Sequence, residues 1–302
     1  MEDKLSFHDQ IQRNKIKSVF LIVFILFVFV LIGYIIGMTL GRDYFTIIMI
    51  ISIIISILYV WLGYYFSDKI ALASVNAKPA SEREYREYHH LVEGIAIASG
   101  LPKPGLYIMN DPHINAFASG RDPKHAVICV TTGSLNKLDK HELEGVLAHE
   151  MSHVANFDIR FLTLTAVLVG MIAIISEIFL RSLWFIDDKD NKRNAILIII
   201  GIVLAILAPI VVNLVQLAIS RRREYTADAT AVKFTRSPTG LIKALKKIKN
   251  EEYSPREMTD EKHRISKAVA HLFISDPFKR KIQNIFSTHP PIEHRIAILE
   301  RM

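Results

Sequence analysis

The sequence predicts a mainly α, polytopic helical membrane protein carrying a domain of helices plus a small β-sheet on its cytoplasmic face. Three observations predict it. Four apolar windows, residues 18–40, 44–66, 161–180 and 195–219, are each about 20 residues or longer, enough to cross a hydrocarbon core about 30 Å thick at about 1.5 Å per residue. Lys and Arg are placed unevenly around those windows. The polar stretches between and after them contain both strand-like runs and helices with clear starts.

The chain has 302 residues, is 51% hydrophobic and has a formal net charge of +7, with a mean hydropathy of +0.27. Because the apolar residues are gathered into windows, an ordinary soluble core is excluded. The basic balance is the expected charge of a membrane's inner face and favours anionic lipid heads, so it calls for no nucleic acid partner.

In chain order, residues 1–66 form a polar tail and the first two spans. The first window is a signal anchor rather than a cleaved signal. It follows a long polar tail, exceeds a signal's apolar region and leads into G-M-T-L-G-R-D-Y-F without a small-x-small site. The tail holds Lys4, Arg13, Lys15 and Lys17, whereas the connection between the first two windows holds only Arg42, beside Asp43. The N-terminus is therefore expected in the cytoplasm, and with it residues 67–160 and 220–302. Gly33, Gly37 and Gly41 form a doubled G-x-x-x-G, which admits a close helix either within the chain or through self-association; the sequence leaves both open.

Within 67–160, a polar helix is expected over 81–98, stopped by Gly100 and Pro102. The runs G-L-Y-I-M-N (105–110) and H-A-V-I-C-V-T-T-G (125–133) read as strands of a small sheet. The only cysteine, Cys129, sits in the second run; it allows no internal disulfide and reads as a packed core residue. A further helix starts at Asp139, which has capping-box spacing to Glu142 and is followed by Leu143, Val146, Leu147 and Val154 at helical intervals.

That helix carries His149-Glu150-Met151-Ser152-His153, an H-E-x-x-H pattern. Residues four apart share a helix face, so both imidazoles can point at one ion, while Glu150, about 100° around the axis, can hold a water there. A hydrolytic zinc site needs a third protein ligand. Glu224 in R-R-R-E-Y-T-A-D is the candidate, with Asp228 one turn later as a carboxylate to orient a ligating imidazole. Spacing alone leaves open a solvated, charged helix instead. His153 lies eight residues before the third window, about 12 Å along a helix, and Glu224 follows closely on the fourth. A hydrophobic hairpin over 161–219 therefore returns both points to one membrane face. Whether its two windows cross fully or dip in and return stays open. Within these windows, Glu177 is placed to reach the far headgroups, and Asn213 and Gln216 lie nearer the metal end.

H-E-M-S-H, then S-R-R-R-E-Y-T-A-D beyond an apolar hairpin, then S-T-H-P-P-I-E-H-R-I resembles the HtpX group of membrane-bound zinc metallopeptidases, relatives of the CAAX prenyl endopeptidases. The resemblance covers nearly the whole chain. It implies a zincin-like catalytic domain and one Zn2+ per chain, with His149, His153 and Glu224 as ligands, Glu150 as catalytic base and Asp228 as the acid behind a ligand. It further implies that Asn115, in N-A-F-A-S-G, lies beside a substrate cleft and aligns an extended peptide, and that His289 sits near the scissile carbonyl. His294 and Arg295 receive no role. The expected function is zinc-dependent endoproteolysis of misfolded or damaged membrane proteins, in stress response and quality control at the bacterial cytoplasmic (inner) membrane. Two rivals are a processing peptidase for a defined, lipidated substrate and a membrane scaffold with a structural metal site. Four spans argue against the first, and an intact Glu150 argues against the second.

Overall fold

The computed structural model describes residues 7–40, 42–183, 201–202, 221–251, 273–274 and 290–302. Among them, three helices are long and apolar enough to cross a membrane, with spans at Asn14–Met38, Arg42–Tyr65 and Asp158–Glu177. The window at 195–219, with Asn213 and Gln216, lies outside the described residues apart from 201–202.

Helices α1 (Phe7–Leu40) and α2 (Arg42–Tyr65) form an antiparallel hairpin. Gly33 and Gly37 face α2. A Cβ on Gly33 would lie 1.9 Å from Ser52 Oγ, and one on Gly37 would lie 3.0 Å from the Phe45 ring. These two members of the G-x-x-x-G pattern are therefore used inside the chain; Gly41 is not described. Helix α1 also runs well before its apolar window, carrying Asn14 and Ser18 as buried polar residues.

After α3 (Ser67–Ser74) come β1 (Lys78–Pro79) and α4 (Arg86–Ser99). Helix α4 begins later than the sequence suggests because Ser81 opens a turn, its carbonyl accepting from Glu84 and Tyr85 N–H. It stops as expected at Gly100, whose φ of +70° is left-handed. Strands β2 (Gly105–Met109), β3 (Ala116–Ser119) and β4 (Val127–Thr131) complete a sheet ordered β1-β2-β4-β3. The β2–β4 pair is parallel; β1 and β3 are antiparallel to their neighbours. Residues 116–119 lie between the two runs that read as strands in the sequence, and they form a strand of their own bordering the site.

Side chains alternate across the sheet. Ala116, Ala118, Ile128 and Val130 pack with α4 and the metal-motif helix; Phe117, Val127, Cys129 and Met109 pack with α1 and α7 on the membrane side. The sheet is thus a layer between the spans and the helix that carries H-E-x-x-H, and Cys129 is a core residue, fully buried.

A short α5 (Thr132–Lys137) leads to α6 (Lys140–Ala155), whose capping box is present in full: Glu142 N–H donates to Asp139 and Asp139 N–H donates to Glu142. Helix α6 does not continue into the apolar helix. It ends at Asn156, Phe157 takes a φ of +56°, and α7 (Asp158–Leu183) starts anew. The third apolar element therefore begins within five residues of His153. Near its far end Glu177 is exposed and paired with Arg181. Helices α8 (Arg221–Thr235), α9 (Thr239–Asn250) and α10 (Ile292–Leu299) follow, the first two packed on α6.

Candidate metal centre

Helix α6 presents His149 and His153 one turn apart, their rings perpendicular with centroids 4.8 Å apart. Helix α8 brings Glu224 against them. The two Nε2 atoms lie 3.3 Å apart, Glu224 Oε2 is 3.5 Å from His149 Nε2, and Glu224 Oε1 is 3.7 Å from His153 Nε2. All three residues are buried, and the three form a possible ion-holding group. Donors about 2.0–2.2 Å from a tetrahedral ion are about 3.3–3.6 Å from each other. The shortest separations here, 3.3–3.7 Å, with one or other Glu224 oxygen nearest each ring, are close to these, so the residues present fit such an ion.

Each imidazole is held from behind by a carboxylate. His149 Nδ1 lies 2.9 Å from Asp228 Oδ1, and His153 Nδ1 lies 3.1 Å from Asp158 Oδ2. In the neutral imidazoles, an Nδ1–H donated backwards turns each Nε2 lone pair towards the common point, where the Nη2 of Arg295 also lies 3.4 Å from His149 Nε2. Asp158 went unnoticed in the sequence, because its position depends on the left-handed turn at Phe157 rather than on helical spacing.

Arg295 was also missed. It comes from α10, is fully buried, and grips Asp228 with two hydrogen bonds, Nε to Oδ2 at 2.9 Å and Nη2 to Oδ1 at 2.7 Å. Its Nη1 lies 3.5 Å from Glu224 Oε2. The signal available in the sequence was an arginine within the S-T-H-P-P-I-E-H-R-I motif, six residues beyond His289. His289 itself lies outside the described residues.

Electrostatics follow from these contacts. Burial and the Arg295 charge oppose protonation of His149, but Asp228 and Glu224 outweigh them, and its pKa is pushed up to about 9. Burial alone would raise Asp228, yet Arg295 and His149 bring it down to about 2. Glu150, 1% exposed, is raised above the ordinary carboxylate value by burial, against the pull of His149, His153 and the Ala118 N–H. Its Oε2 has no hydrogen-bond partner among the described residues. A buried carboxylate oxygen left unbonded is costly, which suits a group kept for a water or a substrate proton.

Strand β3 borders the centre through that Ala118 N–H. Asn115 is not among the metal-facing donors. It anchors the start of β3: its N–H is shared between Thr131 Oγ1 and Ser134 Oγ, and its side-chain oxygen accepts from Ala116 N–H. The edge of β3 away from β4 is already bridged at Phe117 by Phe273, and Ile274 N–H donates to Ala116 O at 2.9 Å.

Residues 82–302 match the profile of peptidase family M48. A Protease HtpX homolog of Caldanaerobacter subterraneus subsp. tengcongensis is 48% identical over 252 residues, 82% of each chain. Another from Tropheryma whipplei is 42% identical over 97% of each chain, and one from Dictyoglomus thermophilum is 40% identical over 98% of this chain and 95% of its own. Among solved structures, S. mikatae Ste24p matches 95% of this chain at a TM-score of 0.49 and 19% identity; the chain spans 65% of that protein's length. The chain belongs to peptidase family M48 and is a membrane metalloendopeptidase of the HtpX type.

Proposed function

We propose that the metal is zinc, held by His149, His153 and Glu224, and that the enzyme cuts misfolded or damaged membrane proteins at the cytoplasmic surface of the bacterial inner membrane. The observation that carries the reading is the convergence of these three donors beside Glu150, whose carboxylate is buried and half unsatisfied. When bound, zinc supplies Lewis acidity to a peptide carbonyl and acidifies a water toward a pKa of about 7. Glu150 accepts the water proton and passes it to the leaving amine, and its raised pKa makes it a better base for that task. Asp228 keeps His149 in the tautomer whose Nε2 is free, and the Arg295 fork keeps Asp228 ionised. Asn115 fixes the start of β3 beside the centre, and the family resemblance assigns it to the substrate cleft and His289 to the scissile carbonyl.

Helix α7 starts beside the centre at Asp158 and α8 carries Glu224 to it, which supports a centre at one end of the spans. A centre there reaches loops of neighbouring membrane proteins. The test uses detergent-purified protein and a misfolded membrane protein as substrate. Glu150→Gln is expected to retain one zinc per chain and to lower cleavage by about 10²–10⁴. Full cleavage by Glu150→Gln, or an active parent without zinc after chelation, would overturn the assignment. Cutting of one defined lipidated peptide alone would favour a processing role.

A further inference from the structure

Asp158 is the hub of a buried polar network that reaches into the first membrane helix. Its Oδ2 faces His153 Nδ1 at 3.1 Å; its Oδ1 accepts from Arg223 Nε at 2.9 Å and from Asn14 Nδ2 at 2.7 Å. The same amide nitrogen of Asn14 donates to Asn156 O at 3.1 Å, so both of its N–H groups are used. Asn14 Oδ1 lies 3.5 Å from Arg223 Nη2. Asn14 is 4% exposed although it stands at the first turn of an apolar span.

The geometry points to a role for this residue. We propose that Asn14 is a positioning residue for His153, acting through Asp158 from the first membrane helix. Asn156 closes α6 and Asp158 opens α7, with Phe157 at a φ of +56° between them. One carboxamide therefore ties together the two sides of the break that follows His153. Without it, Asn156 O loses a donor and, among the described residues, Asp158 Oδ1 keeps only Arg223. A buried carboxylate follows its remaining partner, and Arg223 bonds the oxygen that does not serve His153. The imidazole then loses its fixed tautomer and direction. Asn14 lies outside residues 82–302, which carry the family match, so the peptidase segment is completed by a residue of the anchor. The first helix is in this view a part of the metal centre's frame as well as an anchor.

The inference rests on the zinc reading of the site, and the experiment separates the two. Full-length protein in detergent is titrated with Zn2+ against a competing chelator, and the Co2+ derivative is examined by visible absorption. Asn14→Leu is expected to weaken zinc binding about tenfold or more, the usual scale for losing outer support of a ligand, and to shift the Co2+ bands. Asp158→Asn weakens it too, and adding Asn14→Leu to Asp158→Asn costs nothing further, because both act on one path. Ser18→Ala, one turn on and buried, its hydroxyl donating among the described residues to Asn14 O alone, binds zinc as the parent does. Asn14→Ala serves where Asn14→Leu does not fold. Parent-like affinity and spectrum in the Asn14 variants, or losses that add in the double variant, overturn the inference while leaving the zinc reading intact. A parent that takes up no zinc sinks both.

Discussion

At the scale of single residues, the centre is a set of paired dependencies. His149 depends on Asp228, which depends on Arg295; His153 depends on Asp158. Replacing Asp228 by Ala removes the partner of His149 and leaves Arg295 buried beside it with its main countercharge gone. Zinc affinity is expected to fall about 10–100-fold, measured by chelator competition. Arg295→Lys keeps the charge but cannot form the two-pronged grip, so a smaller loss of affinity is expected; an Arg295→Lys protein as weak as Asp228→Ala would show that the fork, and not the charge alone, is what matters. How much of this was legible in the sequence divides along the same lines. His149, Glu150 and His153 were readable because helical periodicity alone sets their geometry. Glu224 and Asp228 needed the ordered motifs, since a long segment separates them from α6. Asp158 and Asn14 were not readable, the first because it depends on one left-handed residue and the second because its contact lies 144 residues away in sequence; Arg295 showed only as an arginine within a motif, its grip on Asp228 spanning 67 residues.

Elements meet at glycines where backbones touch. Gly145 in α6 faces α9 so closely that a Cβ would stand 2.4 Å from Leu241 N; Gly240 faces His141 O at 2.1 Å. Backbone atoms cannot swing aside, so Gly145→Ala is expected to destabilise by about 1–3 kcal/mol in thermal or denaturant unfolding. Gly94, exposed in the interior of α4 with nothing within 4 Å, makes the contrast: Gly94→Ala is expected to stabilise by about 0.5–1 kcal/mol. The start of α6 carries a pH signature. The Glu142 N–H holds the Asp139 carboxyl below the ordinary range. A lowered folded pKa contributes stability that is present above the ordinary Asp pKa of about 3.9 and is lost as pH falls through the lowered value. Asp139→Asn, which keeps a side-chain acceptor without a titrating group, is expected to flatten the difference in melting temperature between pH 5 and pH 3. The capping box was plain in the sequence because it is local. Strand β3 was not, because A-F-A-S is short and becomes a strand only by pairing with β4.

For the whole molecule, the decisive question is which side of the membrane holds the centre, and the charges give a consistent answer. At one end of the three described spans, cationic side chains lie over aromatic rings: Lys15 over Phe157 at 4.8 Å, Arg121 over Tyr65 at 5.1 Å, Arg160 over Phe157 at 5.3 Å and Arg223 over Phe161 at 5.1 Å. Trp61, Tyr64 and Tyr65 lie at that end of α2, as an interfacial aromatic belt requires. The opposite end of the α1–α2 hairpin carries Arg42 beside Asp43. Positive charge retained on the inner side supports the proposal that the sheet, α6 and α8 face the cytoplasm. Cysteine labelling tests this with little background, because the single native thiol, Cys129, is fully buried and its pKa is raised by burial. In intact cells, a membrane-impermeant maleimide is expected to label Asp43→Cys; Glu82→Cys and Lys246→Cys, both exposed on the metal-bearing domain, are expected to react only after the membrane is opened. Labelling of Glu82→Cys and Lys246→Cys on opposite sides would be incompatible with α6 and α8 sharing one centre, whereas both reacting from outside would keep the centre and invert its orientation.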